Sequence, residues 1–281
     1  MQTIQWFPGH MTKALRMMEE NVRLCDGFVY VLDARAPFAC FNHKLENLFS
    51  NKPTLCLLNK ADTVTASDIA AISAKLRGDR RNVLATVGTS QKDGKAVYNA
   101  IIDMFKEKLE QKKARGINKT LRIMVCGIPN TGKSTVINSL CGKKQAATGD
   151  KAGVTKGKQW VKLSDIELLD TPGTMPPSFD NQVYAHHLAY IGSINDAILD
   201  KESLLLDFIE EINEKYPSAI PSRYNVPAGL TPIDTYEAIC RSRGFVLRGN
   251  ELDYERGALA VFDDFRKQRL GKLCLETSPI S

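Results

Sequence analysis

The octapeptide Gly127-Ile-Pro-Asn-Thr-Gly-Lys-Ser134 constrains this chain more than any other feature. It follows a short apolar run, Leu121-Arg-Ile-Met-Val-Cys126, and opens a helical pattern, the strand, loop and helix setting that the G-x-x-x-x-G-K-S spacing needs. In that setting the backbone N–H groups of the loop and the helix N-terminus wrap phosphate oxygens. Lys133 then reaches the outer phosphates and Ser134 offers its hydroxyl to magnesium. The plain alternative is a glycine-rich turn.

The surrounding pattern supplies the scaffold. Runs at 27–32, 54–58, 82–87, 121–126 and 166–170 read as strands, and helices are predicted near 12–25, 42–50, 67–77 and 93–115, with Asn42 and Ser67 as N-caps. Such alternation predicts an α/β fold, a mostly parallel sheet with helices on both faces. Beyond Thr171-Pro-Gly-Thr-Met-Pro-Pro177 the alternation stops. Stripes at Leu204, Leu205, Phe208, Ile209 and Ile212, and at Ala258, Phe262, Phe265 and Arg269, predict a small helical domain. A length of 281 residues, just under two domains at about 150 each, agrees. The expected ranges are 1–177 for the sheet domain and 178–281 for the helical one.

Seven cysteines without a C-x-x-C pair predict buried thiols rather than disulfides or a zinc site. No apolar run reaches the roughly 18 residues of a membrane span. The first residues lack a signal-peptide core and carry Glu19 and Glu20, so the expected location is the cytoplasm, with no membrane partner. Residues 1–179 hold 27 Lys+Arg against 16 Asp+Glu, a net +11, while 180–281 hold 11 against 16, a net −5. The basic half carries the polyanion-attracting field, densest at Lys106, Lys108, Lys112, Lys113, Arg115 and Lys119, although most such runs are solvated helix faces.

Two further motifs choose the base. Asp170-Thr-Pro-Gly173 ends a strand where a magnesium-linked Asp and a γ-phosphate-sensing Gly belong, and Asn59-Lys60-Ala-Asp62 ends another. The Asp62 carboxylate can accept from both N1–H and the exocyclic amine of guanine, a donor pair that adenine lacks. All three loops leave the C-terminal ends of strands, where open α/β sheets bind ligands. Their order is unusual: the base box precedes the phosphate loop, which is a circular permutation of the Ras-like order. Loop positions depend on the sheet and not on the order in which the chain visits it, so the site survives.

With Gln5-Trp-Phe-Pro-Gly-His-Met11, Val31-Leu-Asp-Ala-Arg35, Leu57-Leu-Asn-Lys-Ala-Asp62, 127–135, Gly153-Val-Thr155 and Leu168-Leu-Asp-Thr-Pro-Gly173, the chain resembles the YlqF (RbgA) family of circularly permuted ribosome biogenesis GTPases. The resemblance implies a GTPase that binds the large (50S) ribosomal subunit, its rRNA and its ribosomal proteins, promotes late assembly and leaves on hydrolysis. GTP and GDP contacts are implied at Asn59, Lys60, Asp62, Asn130, Thr131, Gly132, Lys133, Ser134, Thr135 and Gly173. Magnesium is expected at Ser134, Thr155 and Asp170, and catalytic roles at Lys133, at the switch residue Thr155 and at His10, which takes the place of a water-orienting glutamine. Asn130 stands where potassium-dependent relatives supply an oxygen; the alternative is a turn-forming Asn after Pro129.

Two departures stand out. Thr174 occupies the position after Gly173 where the family carries a bulky apolar residue, and Thr86-Val-Gly-Thr-Ser90 departs from the usual base-backing loop, whose contact stays unassigned. His186 and His187, adjacent on a helix, read as structural and as pointing different ways. In the helical domain Arg241, Arg243, Arg248, Arg266, Lys267, Arg269 and Lys272 either bind RNA phosphates or pair with nearby acids such as Asp263 and Asp264. A metabolic P-loop kinase or ATPase is disfavoured by the base box. A GTP-dependent RNA-binding regulator of translation outside subunit assembly remains the alternative function.

Overall fold

The computed structural model describes residues 3–49, 51–142 and 159–280 and divides into two compact units. Strands β1 (Gly27–Asp33), β2 (Thr54–Asn59), β3 (Arg81–Thr86), β4 (Leu121–Cys126), β5 (Gln159–Leu163) and β6 (Ile166–Asp170) form one sheet in the order β3-β2-β1-β4-β6-β5. All neighbours run parallel except β5, which pairs antiparallel with β6. Every residue of β1 and β2 is buried, as central strands covered on both faces require, whereas the polar strands β3 and β5 take the two edges. The β5 edge strand escaped the sequence reading because its five residues, with Gln159 and Lys162 exposed, lack an apolar run.

The period of two along the strands sorts the core. Val29, Val31, Leu55, Leu57, Ile123 and Val125 face α4 (Gln91–Met104) and α6 (Lys133–Cys141) through Val97, Ile101, Val136 and Ile137. On the alternate face, Phe28 stacks on Phe49 of α2 (His43–Phe49), with ring centroids 3.8 Å apart. Helix α1 (Gly9–Asn21) buries Met11, Leu15 and Met18, and α3 (Ala66–Leu76) starts at Thr65, not at the expected Ser67. Thr65 wins because Asp68 completes a capping box with it. The helix expected over 93–115 is broken at buried Phe105 into α4 and α5 (Lys106–Ala114). All seven cysteines are free thiols, six of them buried.

The other unit packs α7 (Gln182–Tyr190), α8 (Lys201–Lys215), α9 (Ala219–Tyr224), α10 (Pro232–Arg243) and α11 (Tyr254–Arg266) around Tyr190, Phe208, Phe262 and Phe265. The stripe Leu204, Leu205, Phe208, Ile209 and Ile212 is the buried face of α8. His186 and His187 do not diverge: both are buried and face α8, at 3.5 Å from Asp207 and 3.0 Å from Glu211. Most of the unit's cations are consumed internally. Arg266 pairs with Asp196 and donates to the Tyr190 and Ala189 carbonyls at the end of α7; Lys267 and Arg269 meet Asp263 and Asp264; Arg241 meets Glu237.

Where the sequence reading drew two continuous ranges, each unit is discontinuous: Met1–Gln5 joins Phe179–Leu273, and Cys274–Ser281 joins Trp6–Ser178. Hydrogen bonds fix both exchanges. Ile4 N–H donates to Gln182, and Gln5 trades bonds with the backbone of Phe179. At the other end, Leu275 N–H donates to the Arg35 carbonyl, and the Glu276 carboxylate accepts from Phe38 and Ala39 N–H at 2.6 and 2.9 Å. Because Glu276 is buried, Glu276→Ala strands both N–H groups, at a cost of about 1–3 kcal/mol each. Urea unfolding should register that loss, and unchanged stability would show that this tail does not brace the sheet unit.

Candidate nucleotide site

Register brings the expected loops to one edge. Asp33 aligns with Asn59 and Asn59 with Thr86, while Val125 aligns with Asp170, so the chain leaves β1, β2, β3, β4 and β6 side by side. Asn59 then ties three of these exits together. Its amide nitrogen donates to the Thr131 carbonyl in the phosphate loop at 2.7 Å, and its oxygen accepts from Gly88 N–H at 2.8 Å. The 86–90 loop, left without a role by sequence, is thereby fixed against the base box. Gly132 lies at φ 93° with Asn59 packed where a Cβ would stand, so only glycine serves there.

Lys60, itself at φ 58°, donates to the Asn130 carbonyl at 2.9 Å and pairs with Asp33 at 2.8 Å. Asp33 also takes a two-pronged contact from buried Arg35, at 2.9 and 2.7 Å. Burial alone would raise the Asp33 carboxyl, but the charges and hydrogen bonds of Arg35 and Lys60 outweigh it and hold the carboxyl below its ordinary value. Asp33 and Arg35 are the residues whose task sequence reasoning missed. The available signal was a pair of charges closing a wholly apolar strand. Asn130 has φ 61°, so the turn-forming requirement is met by this Asn whether or not an ion sits nearby. Asp62 is exposed, so the protein alone does not enclose its carboxylate in a low-dielectric pocket.

The phosphate end of the site holds buried charge. Lys133 is 7% exposed and donates to the Ile128 carbonyl at 2.7 Å; burial pulls its ammonium down to about 8 against the opposing pull of Asp170. Burial pushes Asp170 up to about 6, offset in part by Lys133, by Thr171 N–H and by a hydrogen bond from Ser134. Its Oδ1 is buried and finds no hydrogen-bond partner among the described residues. That orphaned oxygen beside the Ser134 hydroxyl fits magnesium, which takes one or two protein oxygens and completes its shell with phosphate and water. No cluster of three or more metal-ligating His, Cys, Asp or Glu exists among the described residues.

Gly173 packs against the phosphate loop, where a Cβ would fall 2.6 Å from the Pro129 nitrogen. Thr174 N–H donates to the Gly127 carbonyl at 3.3 Å, and the Thr174 hydroxyl is fully buried without a partner among the described residues. Met175 N–H meets Met11 Sδ at 3.4 Å, which sets the first turn of α1, and with it exposed His10, beside the residues that follow Gly173. Thr131 is buried, and Thr135 is half-buried at the start of α6. Thr155, Gly153 and Val154 lie outside the described residues.

A raised carboxyl has a definite linkage sign. Between about pH 4 and 6 the folded Asp170 holds a proton that the unfolded chain has released, so its contribution to stability falls as pH rises through that window. Without nucleotide, Asp170→Asn should therefore gain thermal stability over the wild type from pH 4 to 6 and keep that gain above 6. A pH-independent difference between the two melting curves would contradict a buried carboxyl whose ionisation the folded state disfavours.

Comparison with known proteins agrees with this geometry. The family described as "50S ribosome-binding GTPase" matches residues 122–219, a span that starts at the phosphate-loop strand and leaves the base box upstream, as a permuted order requires. Ribosome biogenesis GTPase A of Bacillus licheniformis is 35% identical over 97% of this chain and 98% of its own. Two solved structures of YlqF from T. maritima superpose at 25% identity. The GDP-bound form has a TM-score of 0.68, covering 93% of this chain and 98% of that one; the GNP-bound form has 0.66, covering 95% and 100%. The chain belongs to the ribosome biogenesis GTPase A family and is a circularly permuted P-loop GTPase.

Proposed function

We propose that this GTPase binds the large (50S) ribosomal subunit through its rRNA and ribosomal proteins, promotes late assembly, and is released when GTP is hydrolysed. The observation that carries this reading is the extent of the likeness: 97% of the chain, and so both units, aligns with a relative named for ribosome biogenesis. No helix among the described residues is long and apolar enough to cross a membrane.

In this reading the chain's own groups divide the work. Asp62 selects guanine, while Asn59 and Lys60 hold the base loop against the phosphate loop. The loop N–H groups from Asn130 to Thr135 take the phosphates, and Lys133 moves from the Ile128 carbonyl to their outer oxygens. Gly173 N–H senses the γ-phosphate. Ser134 and Asp170, with Thr155, hold magnesium, which when bound neutralises charge growing on the phosphate oxygens. A monovalent cation such as potassium at the Asn130 side chain completes the set, and equal hydrolysis in potassium and sodium salts would remove it.

Thr174 lacks the reach of a water-orienting glutamine, so we assign that task to His10, at the first turn of the helix whose Met11 meets Met175. Intrinsic hydrolysis should be slow and large-subunit particles should raise it, since supplying such a missing group accelerates comparable GTPases by about 10³–10⁵-fold. His10→Ala should keep GDP affinity and lose the stimulated rate; undiminished stimulation would remove His10 from the mechanism. Depletion in cells separates assembly from translational control: immature large subunits should accumulate, whereas normal subunits with altered translation would favour the regulator.

A further inference from the structure

The basic run from Lys106 to Lys119 takes no part in the nucleotide site, and its position shows why. Phe105 is buried in the core, and α5 leaves it at the edge where the parallel strands begin. There Lys108 and Lys119 both meet Asp26, at 2.8 and 3.0 Å, just ahead of β1, and Asp26 bonds the backbone of Arg122 at the start of β4. The phosphate loop leaves the other end of the six-residue β4, about 20 Å away at about 3.3 Å per residue.

Helix α5 has no buried residue, and only Leu109 leans on the core. Lys106, Lys112, Lys113 and Arg115 form no ion pair among the described residues. The contrast with the helical unit is direct, since Arg223, Arg241, Arg266, Lys267 and Arg269 are each held there by a carboxylate. Beside α5 lies a cleft of about 620 Å³ lined by Asn99, Lys113 and Asn118 together with the carboxylates Asp103 and Asp165, the latter accepting from the Tyr98 hydroxyl. Protein interfaces are depleted in lysine and anchored by aromatic side chains. A lysine-rich face with no aromatic on its helix, whose four cations lack ion-pair partners among the described residues, fits phosphate oxygens instead.

Resting on the proposal that ribosomal RNA is a partner, we infer that the α5 face is its phosphate-backbone clamp, with Lys106, Lys112, Lys113 and Arg115 as the contacts. RNA is thus gripped at the sheet edge opposite the nucleotide. Lys106, Lys113 and Arg115 are exposed, Lys112 is half-buried, and glutamine has nearly the helix propensity of lysine, so the quadruple change to Gln keeps the fold. Binding to purified large-subunit rRNA and to large-subunit particles should be measured across a salt series, with GDP affinity and intrinsic hydrolysis alongside.

The quadruple variant should bind rRNA about tenfold or more weakly at low salt, with a log–log salt slope smaller by about 3, as loss of about four phosphate contacts requires. GDP affinity and intrinsic hydrolysis should stay at wild-type values, and Arg248→Gln with Lys272→Gln in the helical unit should change the slope less. Wild-type affinity and slope in the quadruple variant would overturn the clamp while leaving the partner intact. Weakened particle binding with unchanged rRNA binding would overturn it in favour of an acidic ribosomal protein. Failure of the wild type to bind either target would overturn both the clamp and the ribosomal reading.

Discussion

One carboxamide organises the nucleotide end of this protein. Asn59 closes a fully buried central strand, and from there its nitrogen holds the phosphate loop at Thr131 while its oxygen holds the next loop at Gly88. Both bonds need an amide: a carboxylate could not donate to the Thr131 carbonyl, and an aliphatic side chain could do neither. Because the strands beside it are in register, loops distant in sequence become neighbours, and one small side chain reaches both. Permutation leaves this untouched, since Asn59 and Thr131 are brought together by the sheet, in which only β1 separates β2 from β4, and not by chain order.

Two sets of buried charge flank that tie and differ in completeness. Asp33, Arg35 and Lys60 satisfy one another, so their desolvation is matched by short bonds, and they brace the base box. Lys133 and Asp170 are left short of partners: one is pulled down to about 8, the other pushed up to about 6, and Asp170 Oδ1 has no partner among the described residues. A buried group lacking its bonds costs free energy that a ligand can recover. The incomplete set therefore lies where phosphate and a hard cation would complete it.

The sequence made the strands and three of the loops legible because each is a local signal, an apolar run followed by a short motif. It also offered pairing with Asp263 and Asp264 as one of two roles for the helical-unit cations, the role that Lys267 and Arg269 take. What stayed hidden depends on distant pairing. The edge strand β5 is held by β6 rather than by its own composition, Thr65 displaced Ser67 through a reciprocal bond with Asp68, and Glu276 reaches across the chain to Phe38 and Ala39. The roles of Asp33 and Arg35 were invisible for the same reason, since Lys60 and Asn130 give them meaning only in space.

If Asn59 assembles the site by holding the phosphate loop and the 86–90 loop, removing its amide must weaken nucleotide binding, and calorimetry of GDP with Asn59→Ala reads that loss. With the fold intact by circular dichroism, the affinity should fall about tenfold or more, equivalent to about 1.4 kcal/mol or more. Wild-type GDP affinity in that variant would show that the phosphate loop is positioned without Asn59.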